Sequence, residues 1–90
     1  MPQTAEVEIV NQLGLHARAS AKFVQTVEKF DANVTVTRGS ETVGGTSIMG
    51  LMMLSAATGT EITVEVSGKQ ADDAMDAIAA LVTSGFGEED

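Results

Sequence analysis

The feature that most constrains this fold is a hydrophobic period that switches repeatedly along ninety residues. In the first stretch, Ala5, Val7 and Ile9 alternate with Glu6, Glu8 and Val10. A period of two sets one face of an extended strand against a core and the other against water. From His16 the period lengthens. Ala19, Phe23, Val24, Val27 and Phe30 recur at helical spacing, which predicts a helix to about Phe30 with one buried stripe. Alternation returns in Asn33 to Thr37, where Val34 and Val36 are set among threonines. Arg38-Gly39-Ser40 reads as a hairpin turn into a short strand at Glu41-Thr42-Val43, which Gly44-Gly45 ends. Thr46 or Ser47 suits a helix N-cap, ahead of a short helix with Ile48, Leu51 and Leu54 on one face. Glu61 to Ser67 alternates again, turning Ile62, Val64 and Val66 inward. The last helix runs from about Gln70 to Ser84, with Ala71, Ala74, Met75, Ile78, Leu81 and Val82 as its stripe. Asp72 and Asp73 complement its dipole.

The element order is therefore βαββαβα, an α+β chain. Every strand has one apolar face and each long helix one apolar stripe. Helices laid on one face of an antiparallel sheet satisfy all of these at once. Residues 1–90 make one small domain. Gly85 and Gly87 end the last helix, and 86–90 is expected to fray as an acidic tail.

Composition narrows the function. The net charge of −8 argues against a nucleic-acid partner, because phosphate backbones demand clustered cations. The absence of cysteine excludes disulfide and thiol chemistry. No apolar run is long enough to span a bilayer or resembles a signal peptide, so a soluble cytoplasmic protein is expected. Asp72, Asp73 and Asp76 lack an EF-hand loop, and Gly44-Gly45-Thr46-Ser47 lacks the lysine of a nucleotide-binding loop. No metal and no cofactor is expected.

The chemistry concentrates in Asn11-Gln12-Leu13-Gly14-Leu15-His16-Ala17-Arg18-Ala19-Ser20, which holds the only histidine. That histidine stands where a strand pattern gives way to a helix. Gly14 permits a tight turn before it. The unpaired amides of a helix start surround such a position at the positive end of the dipole. They favour an uncharged imidazole, and once it is phosphorylated they favour the new anion. The amides of Ala17 and Arg18 are the expected donors. Arg18 and Lys22, four residues apart, share a helix face near His16, and Arg18 suits a phosphoryl group or a partner surface.

With Thr46-Ser47-Ile48-Met49-Gly50-Leu51 further on, Gly14-Leu15-His16-Ala17-Arg18 resembles HPr, the histidine phosphocarrier family of the phosphoenolpyruvate:sugar phosphotransferase system (PTS). The likeness runs over essentially the whole chain. The family usually has proline after the arginine, where this chain has Ala19, a less rigid helix start. The resemblance implies an open-faced β-sandwich, with a four-stranded antiparallel sheet and three helices on one face. It implies that His16 takes a phosphoryl group on its δ1 nitrogen from an enzyme I-type donor and passes it to enzyme IIA-type acceptors. Such a carrier serves sugar uptake or nitrogen-branch regulation and is not an independent catalyst. The short helix, with Ile48, Met49 and Met52, would bind these proteins together with Ser20 and Lys22. Ser47 would be a regulatory phosphorylation site for an HPr kinase/phosphorylase, because a phosphate at a helix start is tolerated electrostatically.

A short helix this apolar cannot bury every side. One or two of Ile48, Met49, Met52 and Met53 are expected in the core and the rest in an adaptable docking patch, with Gly50 kept small for a partner's approach. Two rival readings remain. In one, the chain is a regulatory binding module controlled by Ser47, with His16 not essential. In the other, His16 is the general base of a hydrolase. That needs a nucleophile such as Ser20 and a carboxylate to orient the ring, and none lies near in sequence.

Overall fold

A computed structural model describes residues 2–88. In chain order the elements are β1 (Gln3–Glu8), α1 (Ala17–Val27), β2 (Asn33–Arg38), β3 (Glu41–Gly44), α2 (Ile48–Met53), β4 (Glu61–Ser67) and α3 (Ala71–Thr83). A single 3-10 turn, Gly85–Gly87, follows. The βαββαβα order agrees with the periodicity. What periodicity leaves open is the arrangement of the sheet, which runs β1-β4-β2-β3 with every neighbouring pair antiparallel. The last strand thus lies between the first two, and both of its edges are paired. Val7 sits opposite Ile62, and Val36 opposite Val64. These alternate side chains form one apolar sheet face.

The three helices cover that face. Phe23, Val24 and Val27 of α1, Leu51 of α2, and Ala74, Ile78 and Val82 of α3 are buried against it. The opposite face carries Glu6, Glu8, Glu61 and Glu65 into water. Helix α1 ends at Val27 rather than Phe30. The Lys29 and Phe30 amides reach back only three residues, to Thr26 and Val27, so the end tightens into 3-10 turns. Phe30 still packs on the core from this turn.

Two expectations need correction. None of Ile48, Met49, Met52 and Met53 is buried; they are 40%, 72%, 41% and 67% exposed. Leu51 and the following Leu54 fill the interior under this short helix and leave no inward position for the others. Nor do residues 86–88 fray. Phe86 is 1% exposed, and Glu88 is hydrogen-bonded to Asn11. A tail of glycine and acid residues reads as solvated, but here a buried phenyl ring and hydrogen bonds from Lys22 and Asn11 act together to hold the segment. The rest of the expected tail, residues 89–90, lies outside the described residues.

Candidate functional site

Helix α1 begins where it does because His16 is its N-cap. The residue is extended (φ −79°, ψ −177°), and its Nδ1 accepts the Arg18 amide at 3.3 Å. The Ser20 amide bonds to the His16 carbonyl at 2.9 Å, closing the first helical turn. Amides in this first turn have no partner one turn back, and they direct partial positive charge at the ring.

The preceding turn is fixed from below. Gly14 has φ +67°, and a Cβ there would lie 2.4 Å from the Ala56 carbonyl oxygen. The Leu15 amide bonds to that same oxygen at 2.9 Å. The segment leaving α2 is thereby stitched to the turn that carries the histidine. Leu15 is buried, so the turn is anchored by packing as well as by hydrogen bonds.

The other side of the imidazole meets the C-terminal segment. Its Nε2 lies 2.5 Å from Glu88 Oε2, while Asn11 Nδ2 donates to Glu88 Oε1 at 2.9 Å and to the Gly14 carbonyl at 2.9 Å. One tautomer satisfies both ring contacts: the lone pair on Nδ1 faces the Arg18 amide, and the proton on Nε2 faces the carboxylate. Asn11 is buried, and its Oδ1 has no partner among the described residues. Flipping the amide would set that oxygen against two acceptors. The hydrogen bond from Asn11 is the main cause holding the Glu88 carboxyl below the usual glutamate range; partial burial opposes it, and His16 and Lys22 add to it.

His16, Ala17, Arg18, Lys22, Gln12, Leu13, Gly87 and Glu88 line an open cleft of about 690 Å³. The His16 side chain keeps 27% of its surface exposed. Arg18 is exposed at the cleft's edge. Lys22 is half-buried and donates to the Phe86 carbonyl at 2.7 Å, so it clamps the tail. Ser20 does not join this surface. It is fully buried, and its hydroxyl is spent on the Leu15 carbonyl at 3.3 Å. It is therefore unavailable to a partner or as a hydrolytic nucleophile.

Ser47 caps α2, its Oγ accepting the Gly50 amide at 2.9 Å, and it is exposed. A Cβ on Gly50 would come within 3.0 Å of Ser47 Oγ and meet Val43 Cβ at 3.0 Å. Its smallness serves packing within the chain. Sequence reasoning missed Asn11 and Glu88 as site residues. The only local signal was Asn11 itself, a polar residue at the end of a buried strand pattern; nothing local pointed to Glu88. Among the described residues, no group of three or more His, Cys, Asp or Glu is placed to hold a metal ion. No helix among them is long and apolar enough to cross a membrane.

Comparisons with known proteins agree with the fold. A family model described as "PTS HPr component phosphorylation site" matches residues 3–84. The phosphocarrier protein HPr of Neisseria meningitidis is 52% identical over 82 residues, covering 91% of this chain and 92% of the relative. The phosphocarrier protein NPr of Shewanella violacea is 43% identical over 83 residues, covering 92% and 91%. The crystal structure of HPr-C-His from Thermoanaerobacter tengcongensis superposes with a TM-score of 0.91 at 38% identity, covering 97% of this chain and 98% of the other. The chain belongs to the HPr family of phosphocarrier proteins of the phosphotransferase system.

Proposed function

We propose that His16 carries the phosphoryl group, on Nδ1. The observation behind this is the N-cap geometry: a partly exposed imidazole whose Nδ1 accepts the first-turn amide of Arg18 at 3.3 Å. The donor is a phosphorylated histidine on an enzyme I-type protein charged by phosphoenolpyruvate. The acceptor is an enzyme IIA-type protein, in sugar uptake or nitrogen-branch regulation. The Nδ1 lone pair forms the new N–P bond as the donor's P–N bond breaks, and that electron pair stays with the donor. The amides of Ala17 and Arg18 then face phosphoryl oxygens, and the Arg18 guanidinium pairs with their charge. A helix start stabilises a nearby anion by only about 0.3–1 kcal/mol. That is enough to orient the group and too little to trap it. The chain acts as an intermediate in transfer and not as an independent catalyst.

Donor and acceptor proteins dock on the exposed Ile48, Met49, Met52 and Met53 of α2 and on the Lys22 side of the cleft. Thioether side chains adapt to more than one partner surface. Ser47 is the regulatory site: an HPr kinase/phosphorylase would place a phosphate at the start of α2, beside that docking surface. The carrier works in the cytoplasm as a monomer.

The test is incubation with phosphoenolpyruvate, Mg²⁺ and the matching enzyme I. Acid-labile phosphate is expected on the wild type and none on His16→Gln. Equal labelling of both refutes the reading.

A further inference from the structure

We infer that Glu88 is a positioning residue for phosphoryl transfer, holding a proton on His16 Nε2 while the group arrives and while it leaves. This rests on the reading of His16 as the phosphoryl acceptor. The carboxylate is delivered to the ring by a fastened segment. Phe86 is buried in the core, Lys22 Nζ holds its carbonyl at 2.7 Å, and the buried Asn11 amide grips Glu88 Oε1 at 2.9 Å. The second carboxylate oxygen then has one place to go, 2.5 Å from Nε2. Supporting contacts of this kind fix a reacting ring far better than an exposed side chain does.

The bond changes balance without moving a proton. When Nδ1 gives its lone pair to phosphorus, the ring keeps its Nε2 hydrogen and gains one positive charge. A contacting opposite charge favours that charged form. On donation, the N–P electron pair returns to Nδ1 and the ring departs as neutral imidazole. Had the Nε2 proton been lost in between, the leaving group would be an imidazolate, a far poorer one. The carboxylate also lies clear of the incoming group, because the two ring nitrogens direct their in-plane bonds away from each other. The charged groups facing the ring are Arg18 and Lys22 from α1 and Glu88 from the tail; among the described residues, no other lines the cleft.

The experiment uses the full chain as wild type, Glu88→Gln, Glu88→Ala and Glu88→Asp. Each is phosphorylated by enzyme I with phosphoenolpyruvate and Mg²⁺, freed of the donor, and its dephosphorylation rate followed across the pH range in which imidazole titrates. The protonated phosphoimidazole is the labile form. In Glu88→Gln and Glu88→Ala the fall of the rate should therefore come about one pH unit lower than in the wild type, at the small end for an opposite charge because the contact is partly exposed. Glu88→Asp should recover much of the difference. A merely structural role would leave the profile in place. Superimposed profiles for wild type and Glu88→Gln overturn the inference and leave His16 as the carrier. A wild type that takes up no acid-labile phosphate overturns both.

Discussion

Replacing Phe86 with alanine tests whether the C-terminal segment belongs to the core. The ring is 1% exposed, in a segment that composition alone would leave in solvent. Truncating a buried phenylalanine typically costs about 3–5 kcal/mol, combining lost transfer energy with the cavity left behind. Two features of this site reduce that figure. The segment lies near the chain end and can lift away instead of spanning an empty cavity. Phe86 also sits at φ +59°, a left-handed conformation whose strain of about 1 kcal/mol is released when the segment lifts. The net loss is then about 2–3 kcal/mol. For a domain of this size that corresponds to a fall in Tm of about 10–20 °C. The assay is thermal unfolding at neutral pH, followed by circular dichroism, with a chain ending at Ser84 measured beside it. The truncation should match the point substitution, since both remove the same ring. A frayed tail would change stability by less than about 0.5 kcal/mol, as at ordinary surface sites. A Tm within about 2 °C of the wild type would therefore refute the reasoning.

Two further outcomes follow from local geometry. Gly14→Ala should destabilise the fold by about 2–4 kcal/mol in denaturant titration, from strain at φ +67° and from a Cβ placed 2.4 Å from the Ala56 oxygen; a loss under about 1 kcal/mol would mean that the turn yields freely. On the open sheet face, a hydrogen bond with Glu6 and the charges of Glu6 and Glu8 raise the Glu61 carboxyl above its ordinary 4.5, with Glu8 directly opposite in the register. A raised carboxyl means the folded state binds its proton more tightly, so its ionisation opposes folding as pH rises through that raised value. Glu61→Gln should accordingly raise Tm at neutral pH, lose that advantage at acid pH where Glu61 is protonated, and lose most of it in high salt. An advantage that persists unchanged in acid would sink this account.

The elements were legible in the sequence because their signals are local. Val34 and Val36 among threonines make a strand, and Phe23, Val24 and Val27 make a helix face, wherever they are placed. His16 was legible for the same reason: a strand pattern, a glycine and a helix pattern meet there within a few residues. Ser47 as a cap was equally local. The methionines of α2 were misjudged because apolar character does not say which of several apolar side chains takes a limited interior; Leu51 and Leu54 take it. Ser20 was misplaced because a serine in the first turn of α1 reads as exposed until the packing shows its hydroxyl turned to the Leu15 carbonyl.

By itself, then, the sequence determined the element types, the one-sided faces and the histidine at a helix start, since each depends on neighbours a few positions away. Tertiary structure alone decided that β4 lies between β1 and β2, and that Glu88 meets His16 across a separation of 72 residues. Those outcomes turn on which surfaces fit together once the whole core is closed. In the second case a single buried phenylalanine brings the carboxylate back to the ring.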